Sequence, residues 1–196
     1  MPRTSQFTKE DIASRALQII RESGPDALSA RTLGAALGVS SRPIFTVFKN
    51  MDEVIQYTRF SAMALFKDYV GDVRNYFPAF KEFGLRLVRF ASEESKIFLF
   101  LFMDKDSKTE WVELNAMDCV RELGQLYDLT ENQVDILFKQ MWVFACGLAF
   151  LNAKSPDAYN AEQVGQMLSM QFMSVLSMIK SGKEVENITP RFRGNI

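Results

Sequence analysis

SARTLGAALGVSSRPIFTVFK, residues Ser29 to Lys49, is the stretch whose reading decides the fold. Apolar residues hold helical spacing on both sides of Gly38: Leu33, Ala36 and Leu37 before it, then Ile44, Val47 and Phe48 after it. The spacing predicts two short helices joined by a tight turn, a helix-turn-helix, whose second helix commonly lies in the major groove of DNA. Ser29 is placed to cap the first helix, with Leu28 and Leu33 spaced as a hydrophobic staple across that cap. Gly38 stands where the helix must end in a left-handed conformation. Ser40 is expected to cap the second helix, with Val39 and Ile44 as its staple. Pro43 falls in its first turn, where the missing N–H breaks no intrahelical bond.

With Ile44, Val47 or Phe48 turned inward, the second helix has Ser41, Arg42, Phe45, Thr46 and Lys49 to present outward. Arg42 suits a bidentate contact with guanine, Thr46 a thymine methyl or a polar contact, and Ser41 and Lys49 phosphates. Together with Ser29, Arg31, Ser40 and Pro43 they form the candidate DNA-binding set. The ordinary alternative for an exposed Arg or Lys is a solvated charge.

Working outward, Thr8 opens the preceding helix with a capping box to Asp11, a staple joins Phe7 and Ile12, and Ile12, Ala16, Leu17 and Ile20 share one face. Gly24-Pro25 ends that helix. After the motif, Asn50 and Glu53 are expected to box the start of a long helix running to about Tyr76. The polar arm from Met1 to Gln6 is expected to be mobile, and Arg3 within it could reach a minor groove.

From Thr8 to about Phe66 the chain resembles the N-terminal domain of the TetR family of bacterial transcriptional regulators. The residues that carry the resemblance are Gly38, Val39 and Ser40, then Ile44, Phe45, Val47 and Phe48, then Met51, Asp52, Glu53 and Val54. Phe45, Val47 and Met51 stand where the family commonly has tyrosine, histidine or tyrosine, and lysine, side chains that tend to serve phosphate contacts. The resemblance implies an all-α fold: a helix-turn-helix head over residues 5–66, a ligand-binding and dimerisation body over 67–182, and a flexible tail over 183–196. It implies a bacterial repressor that binds a pseudo-palindromic operator in double-stranded DNA as a homodimer, released by a small ligand. The three departures keep a second reading open, in which the same scaffold has lost DNA recognition and serves as a ligand-binding or protein-interaction module.

Past Pro78 the pattern is helical throughout, over residues 79–91, 93–102, 108–127, 131–153 and 161–181. Thr130 with Gln133 and Asn160 with Gln163 mark the last two starts. Both of these helices carry apolar residues around more than one face, which implies a partner. The candidate dimerisation set is Val134, Phe138, Met141, Leu148, Val164, Leu168, Phe172, Val175 and Ile179. The run from Trp142 to Gly147 resembles a Trp-three-residues-His-Gly pattern of some TetR-type ligand domains, with Cys146 in the place of the His. Gly147 in mid-helix permits a close helix contact.

The chain has 17 Phe and 10 Met residues, mostly in the body. Phe98, Phe102, Trp111, Met117, Met141, Phe144 and Phe150 are candidate linings for a pocket taking a small hydrophobic effector, and core packing explains them equally well. At 196 residues and 47% hydrophobic content the chain can bury a full core. Its net charge of −1 divides unevenly, since seven Lys and Arg against four Asp and Glu up to Asn50 leave a head of +3 on a body of −4.

There is no histidine, which removes the commonest general base and metal ligand. No nucleotide-binding glycine loop, cysteine-pair motif or nucleophile elbow is present, and Glu93-Glu94 and Asp104 with Asp106 read as helix-end or solvated acids. No enzyme activity, cofactor or metal is expected. Cys119 and Cys146 form neither a disulfide framework nor a metal site, and the expectation is a reduced, cytoplasmic protein. The longest near-continuous apolar run, Ile97 to Met103, is too short to span a bilayer, so no membrane is expected. The polar tail from Gly182 carries Arg191 and Arg193, which could dock on a partner.

Overall fold

The computed structural model describes residues 7–104, 110–156 and 158–182, with the side chains of Glu110 and Trp111 excepted. Over these residues the chain is all-helical, without a strand. The order is α1 (Lys9–Ser23), α2 (Ala30–Ala36), α3 (Met51–Val70), α4 (Ala79–Glu93), α5 (Ser95–Phe102), α6 (Glu110–Leu126), α7 (Glu131–Lys154) and α8 (Ala161–Lys180), with 3-10 turns at Pro25–Ala27 and Ile44–Thr46. The expectations for Arg3, Arg191, Arg193 and the Trp111 side chain lie outside the described residues, as does the start of α6 before Glu110.

Local chemistry sets most helix starts. Thr8 with Asp11, Ser29 with Thr32, Thr130 with Gln133 and Asn160 with Gln163 each close a reciprocal capping box, satisfying two backbone donors that a helix start otherwise leaves unpaired. Asn50 caps α3 by accepting from the Glu53 N–H at 2.9 Å. The Glu53 carboxylate, expected to return that bond, instead takes the Lys49 N–H at 2.7 Å. The end of α3 also departs from expectation: it closes at Val70, because Gly71 adopts φ +57° and Asp72 captures the Arg74 N–H at 3.0 Å.

Two apolar cores share α3. Ile12, Ala16, Leu33, Ile44, Phe48 and Val54 fill the head. Ala62, Phe66 and Val70, further along α3, enter a larger core built on α4 to α8, which Ile20 of α1 also joins. Phe66 lies edge-on to Phe90 and Phe102, with centroids 5.0 and 5.2 Å away. Within the body α4 packs against α7 and α8, and α6 covers α7. Asn152, buried at the end of α7, donates to the Tyr159 carbonyl at 2.9 Å and accepts from its N–H at 3.3 Å, fixing the turn into α8.

Ile97 to Met103 is not the longest apolar stretch in the fold. Among the described residues one helix, Glu131–Lys154, is long and apolar enough to cross a membrane, and here it lies against α4, α6 and α8.

Candidate nucleic-acid interface

The interface is built on a tight reversal after α2. Gly38 adopts φ +72°, and the N–H groups of Val39 and Gly38 return to the carbonyls of Gly34 (2.9 Å) and Ala35 (3.1 Å), a paired closure of the helix end. Ser29 Oγ accepts the Thr32 N–H at 3.2 Å, and the Thr32 hydroxyl reaches back to the Ala27 carbonyl at 2.7 Å. α2 is thereby fixed at both ends.

The second half of the motif is wound more tightly than its sequence suggests. Where a capped α-helix is expected, the chain makes a turn at Arg42 and Pro43 and a 3-10 turn at Ile44–Thr46, with Thr46 N–H to Pro43 O at 3.2 Å and Val47 N–H to Ile44 O at 3.1 Å. Ser40 makes no capping bond to it. The element is too short to repay α-helix nucleation, and the β-branched Ile44, Thr46 and Val47 add crowding. It is held instead by its anchors, Ile44 and Phe48, both buried in the head core.

That anchoring turns Arg42, Phe45, Thr46 and Lys49 out to solvent. Ser29, Arg31 and Ser40 are also exposed, and Ser41 and Pro43 are half-buried. Thr46 Oγ1 donates to the Pro43 carbonyl at 2.6 Å, so its hydroxyl proton is used within the turn. Among the described residues no ion pair engages Arg31, Arg42 or Lys49. Val47 and Met51 are half-buried against the head core, which removes them from the outward face.

Sequence reasoning missed the clamp behind this face. Lys9 pairs with Glu53 at 2.9 Å and its ammonium lies over the rings of Phe48 (5.1 Å) and Tyr57 (5.8 Å). The backbone N–H of Lys49, reinforced by Lys9, holds the Glu53 carboxyl below its usual value of 4.5. Tyr57 donates to Glu10, lowering that carboxyl's pKa as well. α1, the end of the recognition turn and α3 are thus tied together. The signal in the sequence was only the Lys9 and Glu53 charges, 44 residues apart.

In the body, the Phe98 and Phe102 rings pack at a tilt, with centroids 4.9 Å apart, Met141 is buried, Phe144 is half-buried and Phe150 is exposed. Met117 lines an open groove of about 640 Å³ with polar neighbours including Arg121, Asp128 and Glu131. Among the described residues, the other six candidate ligand residues, Trp111 lying outside them, are not gathered around one apolar cavity. A larger open cleft, of about 710 Å³, lies between α4 and the start of α8 and is lined by Tyr69, Arg86, Arg89, Asn152 and Tyr159. Burial pushes the Cys119 thiol up to about 11 and that of Cys146 up to about 12, which keeps both protonated at neutral pH. Among the described residues no group of three or more His, Cys, Asp or Glu is placed to hold a metal ion.

The candidate dimerisation set needs correction. Phe138, Met141, Leu148, Val164, Leu168, Val175 and Ile179 are buried within the protomer, and Val134 and Phe172 are half-buried there, because α7 and α8 turn these faces to α4 and α6. The exposed apolar residues of the two helices are Val143, Phe150 and Leu151 on α7, and Met170, Met173 and Met178 on α8. Gly147 lies in the α7 row, and a Cβ built on it would meet nothing within 4 Å.

No protein-family model matches the chain, and no curated protein matches it in sequence. Solved structures do match its fold. A transcriptional regulator from Rhodococcus sp. Rha1 superposes with a TM-score of 0.67 at 18% identity, covering 87% of this chain and 97% of that one. A protein assigned as a transcriptional regulator in Pseudomonas aeruginosa PAO1 superposes with a TM-score of 0.63 at 14% identity, covering 90% of this chain and 95% of the other. The chain shares the all-helical fold of these two structures.

Proposed function

We propose that the chain is a DNA-binding transcriptional regulator of the TetR type, a repressor that binds a pseudo-palindromic operator as a homodimer and is released by a small hydrophobic ligand. One observation carries the reading: an anchored turn that buries Ile44 and Phe48 and presents Arg42, Phe45, Thr46 and Lys49 together, with neither cation in an ion pair among the described residues. In this reading residues 5–66 read the duplex and 67–182 pair with a second copy and receive the effector. The second copy covers Val143, Phe150, Leu151, Met170, Met173 and Met178, giving the two heads that a palindrome needs. An effector entering the aromatic layer parts Phe66 from Phe102 and so tilts α3.

The test is selection from a random duplex pool by the full-length protein at low salt. A recurring inverted repeat is expected, with Arg42→Ala costing about 1–3 kcal/mol of affinity and Lys49→Ala flattening the salt slope by about one. A second reading, the scaffold without DNA recognition, draws on the inward placement of Val47 and Met51. Failure of the pool to yield any preferred sequence supports it and overturns the first.

A further inference from the structure

We propose that Phe45 and Thr46 form an apolar reader of thymine C5-methyl groups in the operator, an inference that rests on the DNA-binding reading of the head. Phe45 is 42% exposed in the middle of the row Arg42, Phe45, Thr46, Lys49, while Ile44 and Phe48 on either side of the same turn fill the head core. A phenyl ring offers no donor or acceptor, so it bonds neither a phosphate nor the polar edge of a base. The one apolar group that a duplex displays in its major groove is the thymine methyl. Thr46 points to the same chemistry: with its hydroxyl proton committed to the Pro43 carbonyl, the side chain keeps its methyl and an acceptor for outside partners.

The neighbours set the limits of the patch. Arg42 lies three residues before Phe45, exposed in the turn that leads into the 3-10 winding at Ile44–Thr46. Lys49 closes the row on the other side, where a cation suits the backbone. The half-site this face fits has a guanine for Arg42 beside a thymine for Phe45 and Thr46.

The experiment takes the duplex selected from the random pool and resynthesises it with deoxyuridine in place of thymidine at each symmetric position, which removes only the methyl. Wild-type affinity is expected to fall about fourfold for each contacted methyl and roughly fifteenfold for a symmetric pair. Phe45→Ala is expected to lose the discrimination at the positions its ring contacts, and Phe45→Tyr, which keeps the ring, to retain it. Equal sensitivity of wild type and Phe45→Ala at every position, or no sensitivity in the wild type, overturns the proposal while leaving DNA binding intact. A pool that yields no preferred duplex overturns both it and the reading beneath it.

Discussion

Gly34 lies under the backbone of the turn that follows its own helix. A methyl placed on it would meet the Val39 carbonyl oxygen at 2.9 Å and the Ser40 and Ser41 main chain at 3.2 Å, atoms that cannot swing aside as a side-chain tip can. Gly34→Ala is therefore expected to destabilise the protein by about 1–3 kcal/mol, read as a lowered midpoint in a circular-dichroism melt. Because the displaced backbone leads into Arg42, the same variant is also expected to bind the selected duplex more weakly in a fluorescence titration. Gly38 was legible in the sequence, since it follows a periodic run where a helix must stop. Gly34 was not, because it makes room for residues whose path is fixed only after the turn closes. The aromatic residues pose the same difficulty. The sequence reads Phe98 and Phe102 equally as core or as pocket lining, and whether rings pack on one another or line a void is decided by neighbours far along the chain, here Phe66 and Phe90.

At the scale of elements, the tie between α1 and the start of α3 gives the head a specific acid response. Glu53 has a depressed pKa in the folded state, so its stabilising contribution is present above its usual value of 4.5 and is lost as pH falls through the lower folded value. In urea melts followed by circular dichroism, the wild type is expected to lose stability below about pH 4.5, and Glu53→Gln to lose less of it over the same window. The starts of α1, α2, α3, α7 and α8 were readable, since a cap and its partner lie three residues apart. The exceptions share a cause. Glu53 turned to Lys49 rather than Asn50, the turn at Ile44–Thr46 wound as 3-10, and α3 stopped at Val70. In each case a competing local bond or a long-range anchor displaced what periodicity alone favoured.

Across the whole molecule, the expectation that α7 and α8 carry apolar residues around more than one face did not reveal which stripe the chain buries within itself. The interior claims the row through Phe138, Met141, Ala145 and Leu148, and leaves Val143, Gly147, Phe150 and Leu151 outside. Gly147→Leu separates the two roles. A Cβ there meets nothing within 4 Å and a leucine replaces a poor helix former, so thermal stability per chain is expected to hold or rise by up to about 1 kcal/mol, while light scattering shows the dimer weakened. A fall in both, or an unchanged dimer, contradicts the proposed contact.

Ile20 carries a consequence of its own. It projects from a head helix into the body's core, Arg21 pairs with Glu94 at 2.8 Å, and α3 runs unbroken through both cores. Among the described residues no flexible joint separates the head core from the body core. Scanning calorimetry is accordingly expected to show one endotherm, and a displacement anywhere along that continuous rod swings the far tip in proportion to its distance, as a boom turns about its mast.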